Sequence, residues 1–298
     1  MVRVTGSIVP VVSVPPFLTL PRGVKVLAVD AGDARLATMQ AGPADAQARA
    51  LMVTGFTGSK EDFIATLPLL AQAGVNSVAY DQLGQYQSVT TAGESRFTLA
   101  ALADDVIALA RALWPTGPRP HVVGHSLGGL VSRGAVIAAP GEFASLTLLA
   151  SGPSAVPDHQ RPPLELLLQI LPGADLAAVW QAKRDLDAAK GIAEPPAPML
   201  EFLRQRWLAS SPYALRAKAG ILLTEADRVA ELAATQVPVT VLFGDDDDVW
   251  WPHLQRDMAT RLDAPVATMP GVGHSPASEA PEFTARALLD FWRAQGAA

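Results

Sequence analysis

The chain of 298 residues is 49% hydrophobic and 17% charged, carries a net charge of −6 and contains no cysteine. It is long enough for one large domain or two small ones with a substantial core, and too apolar for a disordered chain. Without thiols it has no disulfide framework, no thiolate metal cluster and no cysteine nucleophile, and without a Lys/Arg-rich block it lacks the phosphate-neutralising stripe of a nucleic-acid binder.

A positive mean hydropathy makes a membrane segment the first question. The best candidate stretch, residues 8–20, is shorter than the ~18 residues a spanning helix needs and is broken by Pro10, Pro15 and Pro16. The same prolines spoil the clean apolar run of a secretory signal behind Arg3. The reading is no membrane span, an extended N-terminal arm over residues 1–22, and a cytoplasmic location by default.

Residues 24–29 and 35–39 are strand-like and flank a turn at Asp30-Ala31-Gly32-Asp33, a hairpin pattern. Residues 50–53 form a short apolar run suited to a strand buried on both faces. That run empties into Thr54-Gly55-Phe56-Thr57-Gly58-Ser59. Ser59, with Asp62 behind it, predicts the start of a helix reaching about Gln72. Further strands are expected at 77–80, 121–123, 146–149, 239–243 and 266–269. Helices are expected at 97–113, 127–138, from about 253, and at 281–294. Such alternation indicates an α/β fold with a mostly parallel central sheet flanked by helices, and ligands then sit beyond the carboxyl ends of the strands. Residues 153–221 break the pattern, with helical periodicity at 164–171, 176–189 and 199–209. They are read as a helical cap inserted after a central strand, leaving 23–152 and 222–298 as the core.

Gly124-His125-Ser126-Leu127-Gly128 matches G-x-S-x-G. The bare string is weak, but here it follows an apolar strand and opens a helical pattern, the setting of a nucleophile elbow. The small neighbours fit a strained turn that exposes the Ser126 hydroxyl, with the Leu127 N–H facing a developing oxyanion. A serine needs a base, and the base an orienting acid. Among the histidines, His274 alone follows an expected strand end, in Gly271-Val272-Gly273-His274. The acid must follow another, and residues 239–243 run into Asp245-Asp246-Asp247-Asp248. An EF-hand loop is excluded, because its obligatory glycine would fall on Trp250.

These residues carry a resemblance. Thr54-Gly55-Phe56, Gly124-His125-Ser126-Leu127-Gly128-Gly129, Gly244-Asp245-Asp246-Asp247 and Gly273-His274 occur in the order of the α/β-hydrolase fold superfamily, over roughly residues 23–298. The chain resembles its serine-nucleophile, esterase- and lipase-like branch. The resemblance implies a triad of Ser126, Asp247 and His274, with Asp248 the alternative acid, and an oxyanion hole from the amides of Phe56 and Leu127. It implies no metal and no organic cofactor. Two departures stand out. Thr54 replaces the histidine common before the oxyanion glycine, which leaves the anchoring of that loop open. Asp81-Gln82-Leu83-Gly84-Gln85 resembles the D-x-R-G-H stretch with its arginine and histidine replaced.

The function this implies is hydrolysis of a carboxylester, lactone or thioester of a small hydrophobic substrate through an acyl-enzyme on Ser126. C–C bond hydrolysis, acyl transfer and perhydrolysis use the same triad, and a ligand-binding relative without catalysis is the reading from another class. Trp250, Trp251 and His125 are the candidate pocket residues. Oligomeric state is not readable.

Overall fold

The computed structural model describes residues 13–189 and 191–296. The expected arm is therefore visible only from Ser13, as irregular chain up to Gly23; residues 1–12 lie outside the described residues.

A hairpin opens the fold: β1 (Lys25–Ala31) and β2 (Ala34–Ala41) pair antiparallel. β3 (Ala48–Val53), β4 (Val75–Tyr80), β5 (His121–His125), β6 (Ser145–Leu149), β7 (Val239–Gly244) and β8 (Val266–Met269) complete an eight-stranded sheet in the order β1-β2-β4-β3-β5-β6-β7-β8. All pairings from β4 onward across the sheet are parallel, and β2 meets β4 antiparallel.

Between the strands run α1 (Thr66–Gln72), α2 (Leu99–Leu113), α3 (Leu127–Ala138), α4 (Arg161–Ile170), α5 (Leu176–Ala189), α6 (Ala197–Leu208), α7 (Pro212–Thr224) and α8 (Val229–Ala234). α9 (Pro252–Arg261), α10 (Pro276–Glu279) and α11 (Pro281–Ala294) finish the chain.

Successive strand residues face opposite sides, and the core divides accordingly. Leu51 and Val53 of β3, Val122 of β5 and Val241 of β7 pack with Leu102 and Val106 of α2 and Leu130 and Val131 of α3. Met52, Val123 and Leu242 turn the other way, onto Leu67 and Leu70 of α1 and Leu288 and Trp292 of α11. β3, β5, β6 and β7 have no exposed residue, which is why they read as mostly apolar stretches rather than as apolar–polar alternation.

Two helices differ from expectation. The helix expected from Ser59 is a 3₁₀ turn (Lys60–Phe63) followed by the separate α1. Pro68 explains the break: a continuous helix would need its missing N–H and would push its ring against the carbonyl of Ile64, whereas in the first turn of α1 neither matters. The helix expected from Phe97 starts at Leu99, capped by Thr98, whose side chain accepts from the Ala101 N–H.

The helices α4–α7 lie between β6 and β7 in the chain, and α7 runs to Thr224, past the expected end at residue 221. They reach the carboxyl end of the sheet by long polar side chains. Arg206 of α6 donates to Asp62 Oδ1 at 2.8 Å and to the Ser13 carbonyl at 2.6 Å. Lys218 of α7 donates to the Leu83 carbonyl at 2.9 Å. Among the described residues no helix is long and apolar enough to cross a membrane.

Candidate active site

The site is assembled from three strand ends. β5 stops at His125, α3 starts at Leu127, and Ser126 between them has φ 55° and ψ −122°. A non-glycine residue there is strained and persists only where its surroundings hold it. Its N–H donates to the Leu149 carbonyl at 2.9 Å, and its own carbonyl accepts from Gly129 N–H at 2.9 Å and Ser151 Oγ at 2.8 Å. The flanking glycines have a steric reason. A Cβ on Gly124 would lie 2.4 Å from the Gly128 carbonyl oxygen, and one on Gly128 would lie 2.3 Å from that of Val53.

β8 leads to His274 and β7 to Asp247, both buried. His274 Nδ1 lies 2.9 Å from Asp247 Oδ1, and Nε2 lies 2.9 Å from Ser126 Oγ. A carboxylate only accepts, so Nδ1 carries the proton, Nε2 is the acceptor and the serine hydroxyl donates. Asp247 is held in turn: Oδ1 accepts from the Val249 N–H at 2.9 Å and Oδ2 from Gln255 Nε2 of α9 at 2.8 Å. Asp248 joins the network through its backbone. Its carbonyl accepts from His159 Nε2 at 2.7 Å and Gln160 Nε2 at 2.8 Å, and no hydrogen bond joins its carboxyl to His274 among the described residues.

Electrostatics favour a protonatable His274. Burial works against its charged form, but the Asp247 carboxylate and its hydrogen bond, with Asp248 and Glu279 further off, outweigh burial and raise the imidazole above its ordinary range. Burial, with His274 beside it, pushes His125 down to about 4. His125 is therefore neutral near pH 7, and its Nε2–H donates to the His274 carbonyl at 2.7 Å. Glu279 of α10 fixes the same loop from the other side, accepting from the Gly273 N–H at 2.7 Å and the Ser275 N–H at 2.8 Å.

Of the three pocket candidates, His125 thus lies under the His274 backbone. Trp250 is fully buried, packed so tightly on Gly152 that a Cβ there would fall 2.0 Å from the indole, with its ring centroid 6.3 Å from that of His274. Trp251 is 45% exposed and stacks on His159 at 4.5 Å. Both tryptophans pack at the acid loop, one inside it and one outside.

The Phe56 loop lies against the serine: a Cβ on Gly55 would sit 3.2 Å from that of Ser126. The Leu127 N–H is the first of α3 and so has no intrahelical acceptor. The anchoring left open by Thr54 comes from β4's loop. Gln82 Nε2 donates to the Thr54 carbonyl at 2.6 Å, and Gln85 Nε2 donates to the carbonyls of Gly55 at 3.0 Å and Gly58 at 2.8 Å. Below them Lys60 Nζ, with no exposure, sits 3.1 Å from Asp81 Oδ2 and 2.9 Å from Glu61 Oε1. Residue-by-residue reading missed Gln82, Gln85, Gln255 and Glu279. For the first pair a signal existed, because they occupy the stretch whose family residues are replaced.

A sequence model described as the alpha/beta hydrolase family matches residues 50–287. The chain belongs to the alpha/beta hydrolase family. A curated relative of this hydrolase-family chain, "Putative carbamate hydrolase RutD" of Variovorax paradoxus (strain S110), is 32% identical over 256 residues, 84% of this chain and 93% of that protein. A hydrolase from Pseudomonas aeruginosa PA01 superposes with a TM-score of 0.71 at 25% identity, covering 90% of this chain and 98% of that one. The enol-lactonase from Burkholderia xenovorans LB400 shares the fold at a TM-score of 0.71 and 16% identity, covering 90% and 100%.

Proposed function

We infer that this alpha/beta hydrolase is a serine hydrolase whose catalytic residues are Ser126, His274 and Asp247. The observation that carries this is the continuous hydrogen-bond chain from Ser126 Oγ through the imidazole to a buried, doubly tied carboxylate, with the serine on a strained turn. His274 Nε2 takes the hydroxyl proton as Oγ attacks an acyl carbonyl, and Asp247 holds the tautomer and stabilises the imidazolium. The amides of Phe56 and Leu127 bind the oxyanion, each worth about 3 kcal/mol in a water-poor site. His274 then protonates the leaving group, and water repeats the cycle on the acyl-enzyme.

The bond cleaved is an ester-type bond (carboxylester, lactone or thioester) of a small hydrophobic substrate, admitted beneath a cap of residues 153–221 that α7 extends to Thr224. The same attack opens a carbamate carbonyl, and the 32% identical relative's name favours testing that bond beside the esters.

A fluorophosphonate probe tests the chemistry. An adduct on Ser126, absent in Ser126→Ala and suppressed in His274→Ala, is the expected result; a folded protein that takes no label overturns it. A panel of p-nitrophenyl esters of rising chain length, a lactone, a thioester and an aryl carbamate then ranks the bonds. A preference for short acyl chains counts against a large apolar pocket.

A further inference from the structure

Lys218 lies in the middle of α7 and has no exposure, yet no carboxylate comes within ion-pair distance of it among the described residues. Its Nζ donates to two neutral acceptors, the Leu83 carbonyl at 2.9 Å and Gln85 Oε1 at 2.7 Å. Burying an ammonium without an ion-pair partner is costly, and an apolar side chain in its place carries no such cost. A cation kept there needs a use.

Its partner supplies one. With Oε1 facing the ammonium, the Gln85 amide must turn Nε2 toward the carbonyls of Gly55 and Gly58, which it contacts at 3.0 and 2.8 Å. The Gly55 carbonyl and the Phe56 N–H belong to one planar trans peptide and point in opposite directions. Holding the carbonyl against Gln85 therefore fixes the direction of the Phe56 N–H. A positive charge behind the amide also polarises that peptide, as a chain of hydrogen bonds does.

We propose that Lys218 and Gln85 are positioning residues for the oxyanion hole, a relay by which a helix of the cap orients and strengthens the Phe56 amide. This rests on the serine-hydrolase reading above. The relay links α7 to the loop after β3 through the loop after β4, so the hole is complete only with α7 seated.

The charge state of the relay adds a second handle. Burial lowers the Lys218 amine to about 7, against the opposing pull of Asp105 and Asp81. Asp81 is paired with Lys60 and Asp105 with Arg96. The remaining charges on elements packed against α7 are Glu94, paired with Arg216, and Arg161 with Glu165 on α4. Polarisation of the Gly55 peptide weakens as Lys218 loses its proton, which adds an alkaline fall to the activity profile as pH rises through about 7.

The test compares wild type, Lys218→Met and Gln85→Glu with p-nitrophenyl acetate and a fluorophosphonate, whose phosphoryl oxygen occupies the same hole. Lys218→Met removes the charge at similar volume. Gln85→Glu keeps a partner for Lys218 but cannot donate to Gly55. Both are expected to lose roughly ten- to a hundredfold in kcat and in the rate of Ser126 phosphonylation, with KM within about twofold. Lys218→Met also loses the alkaline fall. If a folded Lys218→Met keeps wild-type kcat and profile, the relay is overturned. Should that variant not fold, wild-type kcat in Gln85→Glu overturns it equally. An unlabelled wild type overturns the serine-hydrolase reading and the relay with it.

Discussion

Two loops flank the Ser126 hydroxyl, and they are built by opposite means. The elbow between β5 and α3 is held by backbone and by missing atoms: glycines at 124 and 128 let the strand, the turn and the start of α3 approach within distances no Cβ tolerates. The loop after β3 is held by side chains from elsewhere, Gln82 and Gln85 of the next loop, with Lys218 of α7 bonded to Gln85 behind them. One fails when an atom is added, the other when an atom is removed. Strain that is local in sequence leaves a motif; strain relieved by distant polar partners does not.

The largest effect expected is on the elbow itself. Ser126→Ala should lower kcat by on the order of 10⁶-fold with the fold intact, as removal of a serine nucleophile does elsewhere; retention of activity within a hundredfold, measured on an aryl ester, would break the comparison at its base. Next comes the acid. Asp247→Asn should cost on the order of 10⁴-fold because the imidazole loses its tautomer, while Asp248→Asn, whose carboxyl makes no hydrogen bond to His274, should stay within about threefold. The reverse ranking in steady-state kinetics would move the acid by one residue.

Smaller effects separate the two loops. Gly128→Ala should destabilise the protein by about 3 kcal/mol through overpacking against Val53, read as a lower denaturation midpoint. Gln82→Leu leaves the Thr54 carbonyl buried without its donor and should cost about 1–3 kcal/mol. If Gln82→Leu proved neutral while Gly128→Ala unfolded the chain, the side-chain scaffold would be dispensable.

The gentlest probe is pH. His274 must be neutral to accept a proton, and its pKa is raised from the ordinary 6.5, so activity should rise as pH climbs through a value above 6.5. Stability runs the other way. A histidine whose folded value is raised stabilises the fold fully below the unfolded value and loses that contribution as pH rises through the folded one. In Asp247→Asn the midpoint of the rise should move down, which a pH–rate profile measures.

The alternation of strands and helices, and the elbow, were legible because they depend on neighbours in sequence. Apolar runs such as residues 50–53 and 146–149 marked strands covered on both faces. Pro68 was visible too, yet its power to break the helix after Ser59 shows only when hydrogen-bond partners are counted. The choice between Asp247 and Asp248 was open in a run of four identical residues; the geometry favours Asp247 because Gln255 and Val249 turn its carboxylate toward His274. Glu279, Gln255 and Lys218 were illegible for one shared reason. Each acts on a backbone group or side chain brought near by folding, and nothing in its own surroundings marks it.

Ser126 and His274 are 148 positions apart in the chain. At ribosomal rates of 5–20 residues per second, roughly 7–30 s separate their synthesis. β3, β5 and β6 can pair while β7 and β8 are still unmade, since those two add at the far edge in sheet order. A nascent chain can therefore carry the serine and both candidate amides yet lack the imidazole, and the hydrogen bond between Ser126 and His274 can form only once the last strand has docked.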